Sequence, residues 1–200
     1  PVLAMRLREA YGDAVLEKIR ENPYLLSADG CGVEFSATDE IAMSMGFSAD
    51  SKERLRAAVT FELSHNENNG HVFLPRPKLV AATAQLLDCP EELVEQALDD
   101  LTGSFAVVQE QVANVQACYL RRLWEAECSA CLRLNGLLAV EADKSRQAAK
   151  TVAQIETEQG ITYAPQQRQA VELAAQRSVI ILTGGPGTGK TTTVRGIVAL

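Results

Sequence analysis

Eight residues near the end of this sequence, Gly184-Gly185-Pro186-Gly187-Thr188-Gly189-Lys190-Thr191, have the types and spacing to hold a chain of phosphates. Glycines let the backbone wrap closely round an anion, so that successive N–H groups point at it. Lys190 has the reach to neutralise the β- and γ-phosphates of a nucleotide, and the Thr191 hydroxyl can ligate Mg2+. Thr192 follows in the same turn. The spacing satisfies GxxxxGK[ST] in full, and Lys190 and Thr191 are the candidate catalytic pair.

Such a loop works only between a strand and a helix. The run "SVIILT" before it is continuously apolar, as a strand buried in a parallel sheet should be. "TTTVRGIVAL" after it opens a helix, whose N-terminus adds partial positive charge to the phosphate site. Upstream, "ITYAPQQRQAVELAAQ" predicts a helix starting at Pro165, with Ala170, Val171 and Ala174 facing inward. Gln167 lies on it, 17 residues before Gly184. A carboxamide offers a donor and an acceptor together and can pair with an adenine edge, although glutamine on a helix is more often simply solvated.

The first 140 residues predict a mainly helical region. "AVLEKI" gives a helical stripe that Pro23 ends. Gly30 and Gly32 make a turn, after which Ser36 or Thr38 can cap a helix carrying Ile41, Ala42 and Met45. Helix, glycine turn, helix is the outline of a helix-hairpin-helix over 1–69. A helix from about Ser51 places Leu55, Val59 and Leu63 on one side. From 70 to 140 the pattern is two helices and a β-ribbon, the outline of a winged helix. Its first helix carries Leu79, Val80, Thr83, Leu86 and Leu87. The second starts after Pro90, ends at Gly103 and buries Val94, Ala97, Leu98 and Leu101. "SFAVVQE" and "VANVQACYL" are the strands. A long amphipathic helix follows, with Leu120, Leu123, Trp124, Cys131 and Leu134 on its apolar face. Residues 141–162 are polar and predict a linker helix, and 163–200 begin an α/β phosphate-loop domain.

Here the sequence resembles the RecD-like DNA helicases of superfamily 1. "YAPQQRQAV" is similar to that family's Q motif and "ILTGGPGTGKTTTVRGIV" to its motif I. "YGDAVLEKIRENPYLL", "GVEFSATDEIAMSMGF", "NNGHVFLPRPKL" and "LWEAE" resemble the N-terminal extension of the branch that works without RecBC. The resemblance implies an ATP-dependent helicase moving 5′→3′ on single-stranded DNA in repair or recombination, with ATP and Mg2+ as cofactors. By position, Gln167 would read adenine, Gly184, Gly185, Pro186, Gly187, Thr188 and Gly189 would cradle phosphates, Lys190 would neutralise them and Thr191 would hold Mg2+. One departure stands out. Where the family's hairpin runs Gly-hydrophobic-Gly, this one runs Gly32-Val33-Glu34, and a carboxylate repels a DNA phosphate. Arg54, Arg56, Arg76 and Lys78 are the nearest basic candidates for DNA contact, with solvated surface charge the plainer reading of each.

The net charge of −7 argues against a broadly basic nucleic-acid surface. No apolar run approaches the roughly 20 residues that cross a bilayer, so no membrane is expected as a partner. Five cysteines form no regular framework, which suits a reducing cytoplasm, and the Cys128/Cys131 pair alone makes a weak metal site. Ten residues after Lys190 cannot hold the acidic motif, arginine fingers and second motor domain of a helicase. The chain is therefore expected to be an internal piece, inactive by itself, with residues 178–200 poorly packed. Two other readings stay open: a nuclease or relaxase carrying a helicase module, and a helical DNA-binding or protein-docking module beside a motor.

Overall fold

The computed structural model describes residues 2–27, 31–140 and 151–200. Gly30 of the expected glycine turn and the first half of the expected linker, 141–150, lie outside the described residues. The chain divides into two compact units, Pro1–Ala126 and Glu127–Leu200.

In the first unit, helices α1 (Val2–Tyr11) and α2 (Val15–Glu21) precede a 3-10 turn over Pro23–Ser27. Helix α3 (Phe35–Ser44) follows Gly32, whose φ of +74° favours glycine. Neither Ser36 nor Thr38 caps α3. Glu34 holds the N-cap position, and Thr38 is fully buried inside the helix with its hydroxyl donating to the Glu34 carbonyl oxygen at 3.2 Å.

Helix α4 (Lys52–Glu67), strand β1 (Phe73–Pro75), helices α5 (Arg76–Leu87) and α6 (Glu91–Gly103), and strands β2 (Val107–Val112) and β3 (Val115–Leu120) come next. The sheet order is β1-β3-β2, antiparallel throughout, with Phe73 opposite Tyr119 and Val107 opposite Leu120. Helix, strand, two helices and a two-stranded hairpin, in that sheet order, is the winged-helix arrangement. Asp88 ends α5 in the left-handed region at φ +52°, and Pro90 precedes α6. β1 was not expected from the sequence.

One apolar core serves α3 to β3. It includes Phe35, Leu55, Val59 and Leu63 from α3 and α4, Leu79 from α5, Val94 and Leu98 from α6, and Val107 and Leu120 from the sheet. It runs without a break across residue 70. Two expectations about its edge change. Leu86 is 41% exposed and Ala84 is buried in its place. Helix α7 (Arg121–Ala139) buries no residue at all: Leu134 is half exposed, and Leu120 belongs to β3. Amphipathic spacing gives α7 an apolar stripe: its start is partly covered, with Leu123 packed against the core and Trp124 partly buried, while Leu132, Leu134, Leu137 and Leu138 further along are exposed.

A half-buried ion pair ties α3 to α4. Arg54 donates from Nε and Nη2 to the two carboxylate oxygens of Asp39, each at 2.9 Å, and from Nη1 to the Ala49 carbonyl at 2.8 Å. Tyr24 Oη donates to Asp39 Oδ1 at 2.6 Å, bringing in the 3-10 turn. Burial alone would raise the Asp39 pKa, but Arg54 and Tyr24 outweigh it and hold the carboxyl below its usual range. The same partners make Arg54 a clamp within the protein rather than a free DNA contact.

Arg54→Ala should cost about 2–4 kcal/mol in urea denaturation at pH 7, since Asp39 then keeps its burial without its cation. Because the folded Asp39 pKa is depressed, this stabilisation is complete above the ordinary carboxylate value of ~3.9 and fades as pH falls through the folded value. The gap between wild type and variant should therefore narrow in acid. A gap that stays constant would mean Asp39 is not the partner that matters.

Candidate nucleotide site

The second unit builds its small core from α8 (Val152–Gln159), α9 (Pro165–Gln176) and α10 (Lys190–Ala199). Thr151 caps α8 in a reciprocal capping box with Gln154, and Gly160 ends it in the left-handed region. Val152 and Ile155 of α8 join Tyr163 and Val171 in the core, so the second half of the expected linker packs with the helices around the loop. Glu156 anchors the connection: its carboxylate accepts from the Tyr163 N–H at 2.8 Å and pairs with Arg168 on α9. The Tyr163 N–H first, and then Arg168, keep the Glu156 carboxyl below its usual range.

The glycine loop runs directly into α10. Gly187 and Gly189 have φ of +75° and +77°, which side chains resist. A Cβ on Gly184 would come within 2.7 Å of Thr188 Oγ1, and one on Gly189 would collide with the Gln167 amide. Pro186 has no N–H and Thr188 closes a turn on Gly185, whereas the N–H groups of Gly185, Gly187 and Gly189 donate to no protein acceptor among the described residues. These unpaired glycine donors ahead of a helix N-terminus fit a chain of phosphates. Lys190 Nζ donates to the carbonyl oxygens of Gly184 and, at 2.6 Å, Gly185. Its ammonium therefore lies along the loop. The Thr188 hydroxyl donates to the Gly185 carbonyl at 2.9 Å and braces the bend.

The structure brings Gln167 to this loop. Its Oε1 accepts from the Ala164 N–H at 3.0 Å, and its Nε2 donates to the Thr188 carbonyl at 3.2 Å. One amide hydrogen and one lone pair are left for another partner. Thr191 is exposed at the start of α10, and Thr192 is partly buried. The expected strand before the loop is not formed: Val179 to Leu182 adopt no strand conformation, and Ile181 is 89% exposed. A parallel strand needs neighbours for its backbone hydrogen bonds, and none flanks it among the described residues.

Three residues that sequence reasoning passed over hold α10 in place. Thr193, buried to 2%, donates its hydroxyl to the Gly189 carbonyl at 3.1 Å. The Tyr163 ring, 5% exposed, rests on the backbone of Gly196, and its hydroxyl donates to Gln159 Oε1 at 3.1 Å. A Cβ on Gly196 would strike the Tyr163 hydroxyl, approach Tyr163 Cζ to 2.8 Å and approach Val171 Cγ2 to 3.2 Å. Glycine inside a helix costs about 1 kcal/mol against alanine, which was the one available signal that Gly196 has a packing role.

No helix among the described residues is long and apolar enough to cross a membrane. Cys31, Cys89, Cys118, Cys128 and Cys131 form no disulfide among the described residues, and burial pushes the Cys118 thiol up to about 11. No group of three or more metal-binding side chains stands together among the described residues.

Comparison with known proteins meets this geometry at both ends. Residues 1–73 match the family model of the ATP-dependent RecD2 DNA helicase HHH domain, and residues 167–200 match that of an AAA domain. The chain is 23% identical over 209 residues to the ATP-dependent RecD2 DNA helicase of Deinococcus radiodurans, covering 98% of this chain and 28% of that protein. It is 38% identical over 82 residues to the RecBCD enzyme subunit RecD of Mycobacterium tuberculosis, covering 41% of this chain and 13% of that one. With the RecD subunit of Mycolicibacterium smegmatis the identity is 32% over 123 residues, 60% of this chain and 21% of that protein. The chain thus spans 13% to 28% of the length of these relatives. Its resemblance to the RecD-like helicases holds: a helix-hairpin-helix region of that kind comes first, and the start of a phosphate-loop domain follows.

If the Tyr163 ring fixes α10 through Gly196, Gly196→Ala should destabilise the second unit by about 1–2 kcal/mol, overpacking outweighing the gain in helix propensity. In a Tyr163→Leu background the same change should cost much less. A double-mutant cycle in chemical denaturation measures the coupling, and additive effects would show that the ring does not bear on Gly196.

Proposed function

We propose that these residues belong to an ATP-dependent DNA helicase that couples nucleotide hydrolysis to 5′→3′ movement along single-stranded DNA, in cytoplasmic repair or recombination. The observation that carries this reading is the glycine loop itself, with the amides of Gly185, Gly187 and Gly189 unpaired among the described residues, Lys190 laid along it and Gln167 bonded to Thr188. The two matched families and the helicase relatives support it.

The residues present fit a nucleotide with Mg2+. The N–H groups of Gly185, Gly187 and Gly189 would hold phosphate oxygens, Lys190 would exchange its loop carbonyls for phosphate, and the exposed Thr191 hydroxyl would serve the metal. When bound, ATP supplies the phosphoryl group whose transfer to water drives movement. Gln167 has one donor and one acceptor to spare for an adenine edge while it stays fixed to the loop. The chain's own contribution is positioning and charge neutralisation.

Lys190→Ala in the full-length protein should lower ATPase and unwinding rates by about two orders of magnitude or more, while most DNA binding survives. Steady-state ATP hydrolysis and a strand-displacement assay check this. Unwinding at the wild-type rate would refute the motor assignment.

A further inference from the structure

We propose that the winged-helix unit keeps duplex DNA out rather than reading it, through the acidic surface of α6. In a helix-turn-helix, the second helix enters the major groove with its N-terminal residues toward the base edges. Here α5 and α6 are that pair, joined by the short turn at Asp88–Pro90, and the β2–β3 hairpin is the wing.

A groove-reading helix and a wing meet phosphates with Lys and Arg. Residues 79 to 120, which hold α5 beyond its first turn, all of α6 and the whole wing, contain no Lys, Arg or His; the two cations of α5, Arg76 and Lys78, lie in that first turn. Glu91 and Glu92, both exposed, occupy the first turn of α6. They stand at the positive end of the helix dipole, where a phosphate would otherwise be received. Glu95, Asp99 and Asp100 follow on the same helix, and Glu110 lies on the wing.

The nearest cation does not reverse this. Arg76, at the start of α5, pairs with Glu95 and, at 2.8 Å, with Asp99, and its side chain is 17% exposed. Lys52 on α4 stands 3.9 Å from Asp100. Arg76 and Lys52 thus offset part of the acid, and Lys78 at the start of α5 and Arg56 on α4 are the other cations nearby. Glu91 and Glu92 on the first turn of α6 pair with none of them. A duplex presents two phosphate chains to this surface and a flexible single strand can turn away, so the repulsion discriminates against the duplex.

This inference rests on DNA being the partner, as proposed above, and one experiment separates the two. Binding of a short duplex and a single strand of equal length is measured by fluorescence anisotropy for the full-length protein and for its Glu91→Gln/Glu92→Gln/Asp100→Asn variant. Duplex affinity should rise about 5- to 10-fold at ~50 mM salt, and the gain should shrink as salt screens the charges. Single-strand affinity should stay the same, and equal melting temperatures will show that both proteins are folded. Duplex binding that is unchanged or weakened in the variant overturns this inference alone. Failure of the unsubstituted protein to bind any DNA overturns the proposed function and this inference with it.

Discussion

The phosphate loop is placed by a contact that it does not itself make, the Tyr163 ring lying on the bare backbone of Gly196. Gly196 lies six positions after Lys190 on α10, so the packing at one end of the helix sets where its charged end points. Tyr163 is in turn fixed from three sides: its N–H by Glu156, its hydroxyl by Gln159, and its ring by the small core. The loop can then consist of residues chosen for backbone freedom, because its stiffness comes from its supports. Gln167 and Thr193 complete the arrangement by bonding the carbonyls of Thr188 and Gly189 from either side of the turn.

How far the sequence disclosed this depends on the range of each interaction. The loop was legible because phosphate chemistry dictates residue types at fixed spacing, and Val94, Ala97, Leu98 and Leu101 were legible because helical periodicity is local. β1 was not, since three residues ending in proline carry no alternation to detect. Arg54 and Arg76 looked like free cations until the fold supplied Asp39, 15 positions away, and Asp99, 23 positions away. The apolar stripe of α7 and the run before the loop were read correctly as apolar. Their burial depends on neighbours that no local pattern reports.

Charge is distributed unevenly over the first unit, and the distribution follows the fold. Its cations, where they meet the core, are spent on holding elements together: Arg54 joins α3 to α4, Arg76 joins α5 to α6, and Arg122 of α7 reaches Glu67 of α4 at 2.6 Å. Each guanidinium satisfies a carboxylate on a neighbouring element. A protein can thus contain a fold associated with nucleic-acid recognition while using its basic residues for internal bracing.

The sheet of that unit has a consequence for how the chain folds. β1 contributes three residues, and its partner β3 begins only after α5, α6 and β2 have been traversed, with Pro75 opposite Ala117 and Phe73 opposite Tyr119. Closing a loop of about forty residues for so few backbone hydrogen bonds is favourable only once the intervening helices are already docked. The helices and the local β2–β3 hairpin can form early, whereas β1 is the last piece to settle.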